Sequence, residues 1–268
     1  MANSNPAFSN SPAFTQSASK AIQYAQTPSA EQLDELYGRP SATAEQTDRM
    51  TYENTIQKIV GSFAVLLVAA AVGWFVPLLA LPAAIAGFVV SLVLIFKKKP
   101  SAPLTLAYAG LEGLFVGGIS AIFAQLYEGI VPQAIFGTLA VVGVTLALFM
   151  SGKVRASKRA TKIFLVAMVG YAAFSLVNLG LMMFGVTDGP FGLRSIEFLG
   201  LPLGFWLGIL VVLLAAYSLV LDFDSIKTGV ERGAPAAFGW TAAFGIMVTV
   251  VWLYVEILRL LAILRGNN

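Results

Sequence analysis

The sequence predicts an all-α membrane protein, seven transmembrane helices behind a polar N-terminal segment, and three observations carry that prediction. Of 268 residues, 57% are hydrophobic and 12% charged, whereas soluble domains carry about 25% charged residues. With a mean hydropathy of +0.80, too few polar residues remain to coat a water-facing globule. The apolar residues also gather into seven runs near the length of about 20 residues that a spanning helix needs. Finally, basic residues cluster in alternate linkers between those runs, as expected of a chain that crosses and recrosses a bilayer.

Residues 1–56 read as a disordered cytoplasmic tail. They are rich in Ala, Ser, Asn, Gln, Thr and Pro, a composition that buries too little apolar surface to fold. They lack the apolar core of a signal peptide. A short echo, Asn5-Pro6-Ala7-Phe8 and Ser11-Pro12-Ala13-Phe14, leaves a second reading open: a docking segment anchored by Phe8 and Phe14. Residues 57–268 read as the transmembrane domain. Its spans are expected at 59–76, 78–96, 103–126, 130–150, 163–184, 198–221 (entered at Pro202) and 238–264.

The linkers set the orientation. Lys97, Lys98 and Lys99 follow the second span; Lys153, Arg155, Lys158, Arg159 and Lys162 follow the fourth; Lys227 and Arg232 follow the sixth. Arg49 and Lys58 precede the first, and the other side holds only Arg194 and Arg265. This asymmetry places the N-terminus in the cytoplasm and, after seven crossings, the C-terminus outside. It is weakest for the seventh span, for which a segment that dips in and returns is the alternative.

Several chemistries are excluded. There is no cysteine and no histidine, so disulfides, thiolate catalysis, zinc sites and imidazole pH sensing are absent. Any pH response must run through carboxylates. A pI near 9.1 could suggest nucleic acid, but a net charge of +3 spread over short linkers points to membrane orientation instead. No phosphate-binding loop, nucleophile elbow or dinucleotide fingerprint occurs, and no enzymatic activity is expected. Gly113 with Gly117, and Gly204 with Gly208, have the four-residue spacing that lets helix backbones approach closely.

Charges inside the spans are the candidate functional residues, because burying them in lipid costs a few kcal/mol each. Glu112 lies nine residues after Pro103, about 14 Å along a helix. It reads either as a protonated carboxyl bonded to a neighbouring helix or as a ligand on an ion pathway. Glu256 and Arg259 share a helix face. They read either as an internal ion pair or as a gate in which Arg259 is the counter-charge while Glu256 exchanges partners. Asp222 and Asp224 fall at the expected cytoplasmic end of the sixth span, on different faces. Asp224 can reach Lys227 and water, as an outer part of the pathway, which leaves Asp222 facing inward. A carboxylate at a helix C-terminus opposes the dipole, so another interaction should retain Asp222.

Two of these stretches are recognisable. Ser218-Leu219-Val220-Leu221-Asp222-Phe223-Asp224-Ser225-Ile226-Lys227 resembles the end of the sixth helix of the Bax inhibitor-1 family. Leu253-Tyr254-Val255-Glu256-Ile257-Leu258-Arg259-Leu260-Leu261 resembles its last helix. The likeness runs from about Thr51 to the C-terminus. Met50-Thr51-Tyr52, Leu111-Glu112-Gly113-Leu114 and the Asn-Pro-Ala-Phe tail resemble the bacterial, actinobacterial-type branch, which implies a bacterial cell membrane. The resemblance implies a seven-helix bundle with the seventh helix central. It also implies a pH-sensitive calcium leak gated by a carboxylate pair, Asp222 and Glu256, that shares a hydrogen bond and transiently holds calcium. Calcium would be the permeant ion, with no tightly bound cofactor. Three features depart from the family pattern. The last-helix acid is Glu where better-known members have Asp; Arg259 lies one turn away; and Glu256 stands 34 residues past Asp222. Contact between the two requires the seventh helix to sit deep toward the cytoplasm or Asp222 to lie inside the bundle.

Two functions compete at this point. One is a cation leak through Asp222, Glu256 and Glu112, whose oxygens suit calcium. The other is a non-conducting regulator that binds a membrane protease, as some bacterial relatives are thought to do, with the tail as its working part. A proton-coupled transporter would need inverted repeats, and none is evident. An aspartyl dyad for intramembrane hydrolysis lacks its usual pattern.

Overall fold

The computed structural model describes residues 48–187 and 191–266. The proposed anchors Phe8 and Phe14 lie outside the described residues. Among the described residues, seven helices are long and apolar enough to cross a membrane: α1 Tyr52–Phe75, α2 Ala80–Phe96, α3 Ala102–Leu126, α4 Ile130–Met150, α5 Lys158–Met183, α6 Leu203–Glu231 and α7 Phe238–Arg265. A 3-10 turn, Pro77–Leu79, joins α1 to α2. Between α5 and α6 lie a second 3-10 turn, Gly192–Ser195, and a minimal hairpin pairing Glu197–Phe198 with Leu201–Pro202.

Three boundaries differ from the hydropathy reading, each because polar residues extend a helix that the apolar run only partly marks. At α1, Thr51 adopts an extended backbone and its hydroxyl accepts from the Asn54 amide at 3.1 Å. That N-cap, with Glu53 in the first turn, starts the helix at Tyr52. Residues 52–56, assigned to the tail, are therefore helical. At α5, Ser157 caps the Ala160 amide at 3.2 Å, so the helix begins at Lys158. At α6, the start after Pro202 is as expected, and Phe198 belongs to the hairpin. The far end, however, runs ten residues past Leu221 before Gly233, at φ +62°, stops it. Asp222 and Asp224 thus sit well inside α6, away from its C-terminal dipole.

The seventh helix is the centre of the bundle. Of its most apolar 18-residue window 61% is buried, against 6% for α5 and 17% for α1 and α2. α1, α3, α4 and α6 pack directly on it. Leu253, Tyr254, Ile257, Leu258 and Ala262 of α7 form one core with Ile130 and Ala134 of α4 and Ala215 and Leu219 of α6. Met247 and Val251 form a second with Leu66 of α1 and Tyr108 and Ala109 of α3.

The glycine pairs do what their spacing predicts. A Cβ on Gly113 or Gly117 would run into the Leu66 or Ala70 carbonyl oxygen of α1. On Gly204 or Gly208 it would lie 2.5 Å from a Cδ1 of Ile263 or Leu260 on α7. Backbones that close replace apolar side-chain area by dispersion contact, the principal attraction available between helices in lipid.

Both ends of α7 are tied down. Near its start, the Met50 amide donates to Ala234 O at 2.6 Å, the Ala236 amide to Asp48 O at 2.8 Å, and Lys58 Nζ to Ala236 O at 2.5 Å. At its other end, Arg265 donates to Glu128 O and, at 2.9 Å, to Gln133 Oε1 beside the α3–α4 turn. Twenty-eight residues cover about 42 Å, so α7 runs the length of the bundle and does not turn back. The end carrying the α1 start and the Lys-rich α2–α3 and α4–α5 linkers is called the basic end, and the other the far end.

Candidate functional site

The intramembrane charges fall into two groups along α7. Toward the basic end, α2, α3, α6 and α7 border an open cavity of about 520 Å³ lined by Tyr108, Glu112, Phe115, Asp222, Phe244 and Thr249, among others. Tyr108 Oη donates to Glu112 Oε1 at 2.6 Å, one helical turn away on α3. Thr249 Oγ1 donates to Asp222 Oδ2 at 2.7 Å and lies 3.3 Å from Ser218 Oγ. Gly245, one turn before Thr249, makes room for the carboxylate, because a Cβ there would stand 3.3 Å from Asp222 Oδ1. Asp222 also borders a second cavity, of about 360 Å³, which continues past Ser225 and Gly229 to Met50 and Ala234 at the basic end. The retaining interaction expected for Asp222 is therefore the Thr249 hydroxyl. The carboxylate that shares its cavity is Glu112.

Toward the far end, Glu256 is almost completely enclosed, 1% exposed. Arg259 Nη1 donates to its Oε2 at 2.7 Å and Tyr171 Oη donates to the same oxygen at 2.8 Å. Arg194 Nη1 pairs with Oε1 at 3.4 Å. The Tyr171 hydroxyl accepts in turn from Arg194 Nη2 at 3.0 Å and Arg259 Nη1 at 3.2 Å. Arg194 donates further to Ser175 Oγ at 3.2 Å, and its guanidinium lies 5.3 Å from the centre of the Tyr171 ring. One carboxylate thus holds two arginines against one phenol.

This geometry corrects the proposed Asp222–Glu256 pair. Thr249, which bonds Asp222, and Glu256 are seven residues apart on one helix, about 10 Å along its axis. Each carboxylate has its own donors, and no hydrogen bond joins the two. The physical reason is that the turn before α7 is tied at the basic end to Asp48 and Met50, which leaves Glu256 in the far half. Among the described residues no group of three or more acidic side chains could hold a metal. Asp224 is also not the partner of Lys227: that lysine meets Glu231 at 3.6 Å. The Glu256–Arg259 ion pair, by contrast, is formed as the spacing suggests.

Arg194 is the member of the candidate site that sequence reasoning missed. Counted as a loop charge marking the outer side, it is buried with 4% exposure. Asn178 draws its turn inward, accepting from the Leu193 amide at 2.7 Å and donating to Phe191 O at 3.3 Å. Gly192, at φ +56°, fits beneath because a Cβ would stand 2.6 Å from Asn178 Oδ1. A signal was present. Tyr171, Ser175 and Asn178 form an i, i+4, i+7 polar stripe on an otherwise apolar span, and such a stripe needs a polar partner.

A family model described as Bax inhibitor 1 like matches residues 5–266. The chain belongs to the Bax inhibitor 1 like family. No curated protein matches the sequence. Membership agrees with the resemblance carried by the α6 and α7 motifs, and the match extends further than those motifs suggested, beginning 46 residues before Thr51. Within this Bax inhibitor 1 like protein both motifs fall on the polar sites just described: Asp222 on the α6 wall of the inner cavity, and Glu256 in the arginine cluster.

Proposed function

We propose that this multi-pass membrane protein is a pH-sensitive cation leak, with calcium as the favoured permeant ion, oriented with the basic end in the cytoplasm. The observation that supports this reading is the pair of acid-lined cavities in the basic half. Glu112 and Asp222 line one cavity, and Asp222 also lines the next one toward the basic end. Carboxylate, hydroxyl and phenol oxygens are the hard ligands that calcium exchanges for water. The far half carries the closure, in which Arg194 and Arg259 flank Glu256 and set positive charge across the route.

The charge on Glu256 holds two guanidiniums together and keeps the far half closed. Without histidine in the sequence, the pH response of the leak falls to its carboxylates, with no shared proton between Asp222 and Glu256.

The test is calcium entry into liposomes containing purified protein, over a pH series. Flux should exceed that of empty liposomes, rise on acidification, and fall in Asp222→Asn and in Glu112→Gln. Flux equal to that of empty liposomes at every pH overturns the reading, as does flux unchanged in the double variant. Removing residues 2–43 leaves the backbone contacts of Asp48 and Met50 with the turn before α7 in place. A leak survives that deletion, whereas a function that resides in docking of the tail does not.

A further inference from the structure

Among the described residues, the far-end cluster has one more positive charge than negative. Among the described residues, Arg194 and Arg259 face a single carboxylate. The surplus is costly there, because the cluster is flanked by Leu179, Met182 and Trp252 and an uncompensated charge in a membrane is disfavoured. Donor accounting shows where compensation would act. A guanidinium has five N–H groups. Arg194, with a side chain 5% exposed, uses both terminal nitrogens on Glu256, Tyr171 and Ser175. Arg259 is 30% exposed, and its bonds to described residues all leave from Nη1. Its Nε and Nη2 form the fork edge that matches two oxygens of one oxyanion.

That arginine lines a cavity of about 380 Å³ between α5 and α7, together with Ser175 and Asn178. The Ser175 oxygen accepts from Arg194, so its own hydroxyl hydrogen is available to a ligand. We propose that this cleft is a binding site for a phosphate-type oxyanion, held by the Nε–Nη2 edge of Arg259, with Arg194 and Ser175 behind it. Phosphate suits the site better than a halide, because the fork offers two parallel donors rather than one. Arg259 lies six residues from the end of α7, about 9 Å along the axis. Beside the cleft, α5 leaves Leu176, Leu179 and Met183 more than half exposed, a surface for acyl chains. The oxyanion can therefore come from a lipid headgroup or from free phosphate.

The proposal rests on the far-end geometry and not on conduction, so it is tested without flux. Purified full-length protein in neutral detergent is titrated in two arms, with thermal unfolding as the readout. One arm adds phosphatidylglycerol against phosphatidylcholine; the other adds inorganic phosphate against chloride at equal ionic strength. A saturable stabilisation is expected in at least one arm. Phosphatidylglycerol alone acting identifies a lipid headgroup, and inorganic phosphate acting identifies the free ion. Arg259→Gln should abolish the response. Arg259→Lys keeps the charge beside Glu256, and thus the fold, but loses the fork; apparent affinity should fall about tenfold or more. No saturable response in either arm overturns the proposal, and so does a response that Arg259→Lys leaves unchanged.

Discussion

Replacing Glu256 by Gln probes the far-end cluster most directly. The side chain keeps its shape, but the charge that binds Arg194 and Arg259 is gone, and the new amide NH2 points donors at donors. Arg194 cannot escape to water, with a side chain 5% exposed. Breaking a buried ion pair from one side costs about 3–5 kcal/mol, because the remaining charge is left uncompensated. For a domain of this size each kcal/mol shifts Tm by about 2–4 °C, so thermal unfolding in detergent should fall by about 6–20 °C. Arg194→Gln should cost less, about 1–3 kcal/mol, because Glu256 keeps Arg259 at 2.7 Å and Tyr171 at 2.8 Å. The double variant should recover part of the loss, with a coupling of about 0.5–3 kcal/mol, since it leaves Arg259 without a second buried cation beside it. Additive losses, or a Glu256→Gln protein as stable as the parent, would refute the claim that this carboxylate holds the two arginines together.

Three further outcomes follow from the same geometry. Thr249→Val removes the hydroxyl that donates to Asp222 at 2.7 Å; it should cost about 1–3 kcal/mol in detergent unfolding and alter calcium flux, whereas Thr249→Ser should restore both. Asn178→Ala deprives the Leu193 amide of its acceptor and frees the turn that carries Arg194. Hydrogen exchange at residues 191–196 should rise, with no change at the α1–α3 contact. Gly117→Val forces side-chain atoms into the Ala70 carbonyl; overpacking costs about 1–3 kcal/mol or more, read as lower folded yield and Tm, while Gly143→Ala, which meets no neighbour, should be silent.

Much of this molecule was legible in its sequence, for an identifiable reason. Lipid imposes one-dimensional rules: a spanning helix must be apolar over a set length, and charge must stay in the linkers. Those rules locate seven helices and mark Glu112, Asp222, Glu256 and Arg259 as exceptions from hydropathy alone. The i, i+3 relation of Glu256 to Arg259 is local, so that ion pair could be read as well. Capping was the signal left unused, and it is why α1 and α5 start earlier than their apolar runs.

Only the tertiary structure decided which exceptions meet. Asp222 shares its cavity with Glu112, which lies 110 residues away in sequence, because four helices converge there and Gly245 leaves the space. Glu256 meets Arg194 because Asn178 and Gly192 fold a loop inward to place a presumed surface charge beneath the bundle end. The depth of α7, set by its ties at both ends, separated the two carboxylates that motif likeness had joined. Local spacing determines which faces of one helix are polar. Which polar faces touch depends on register between helices, and that is fixed by long-range packing and loop anchoring.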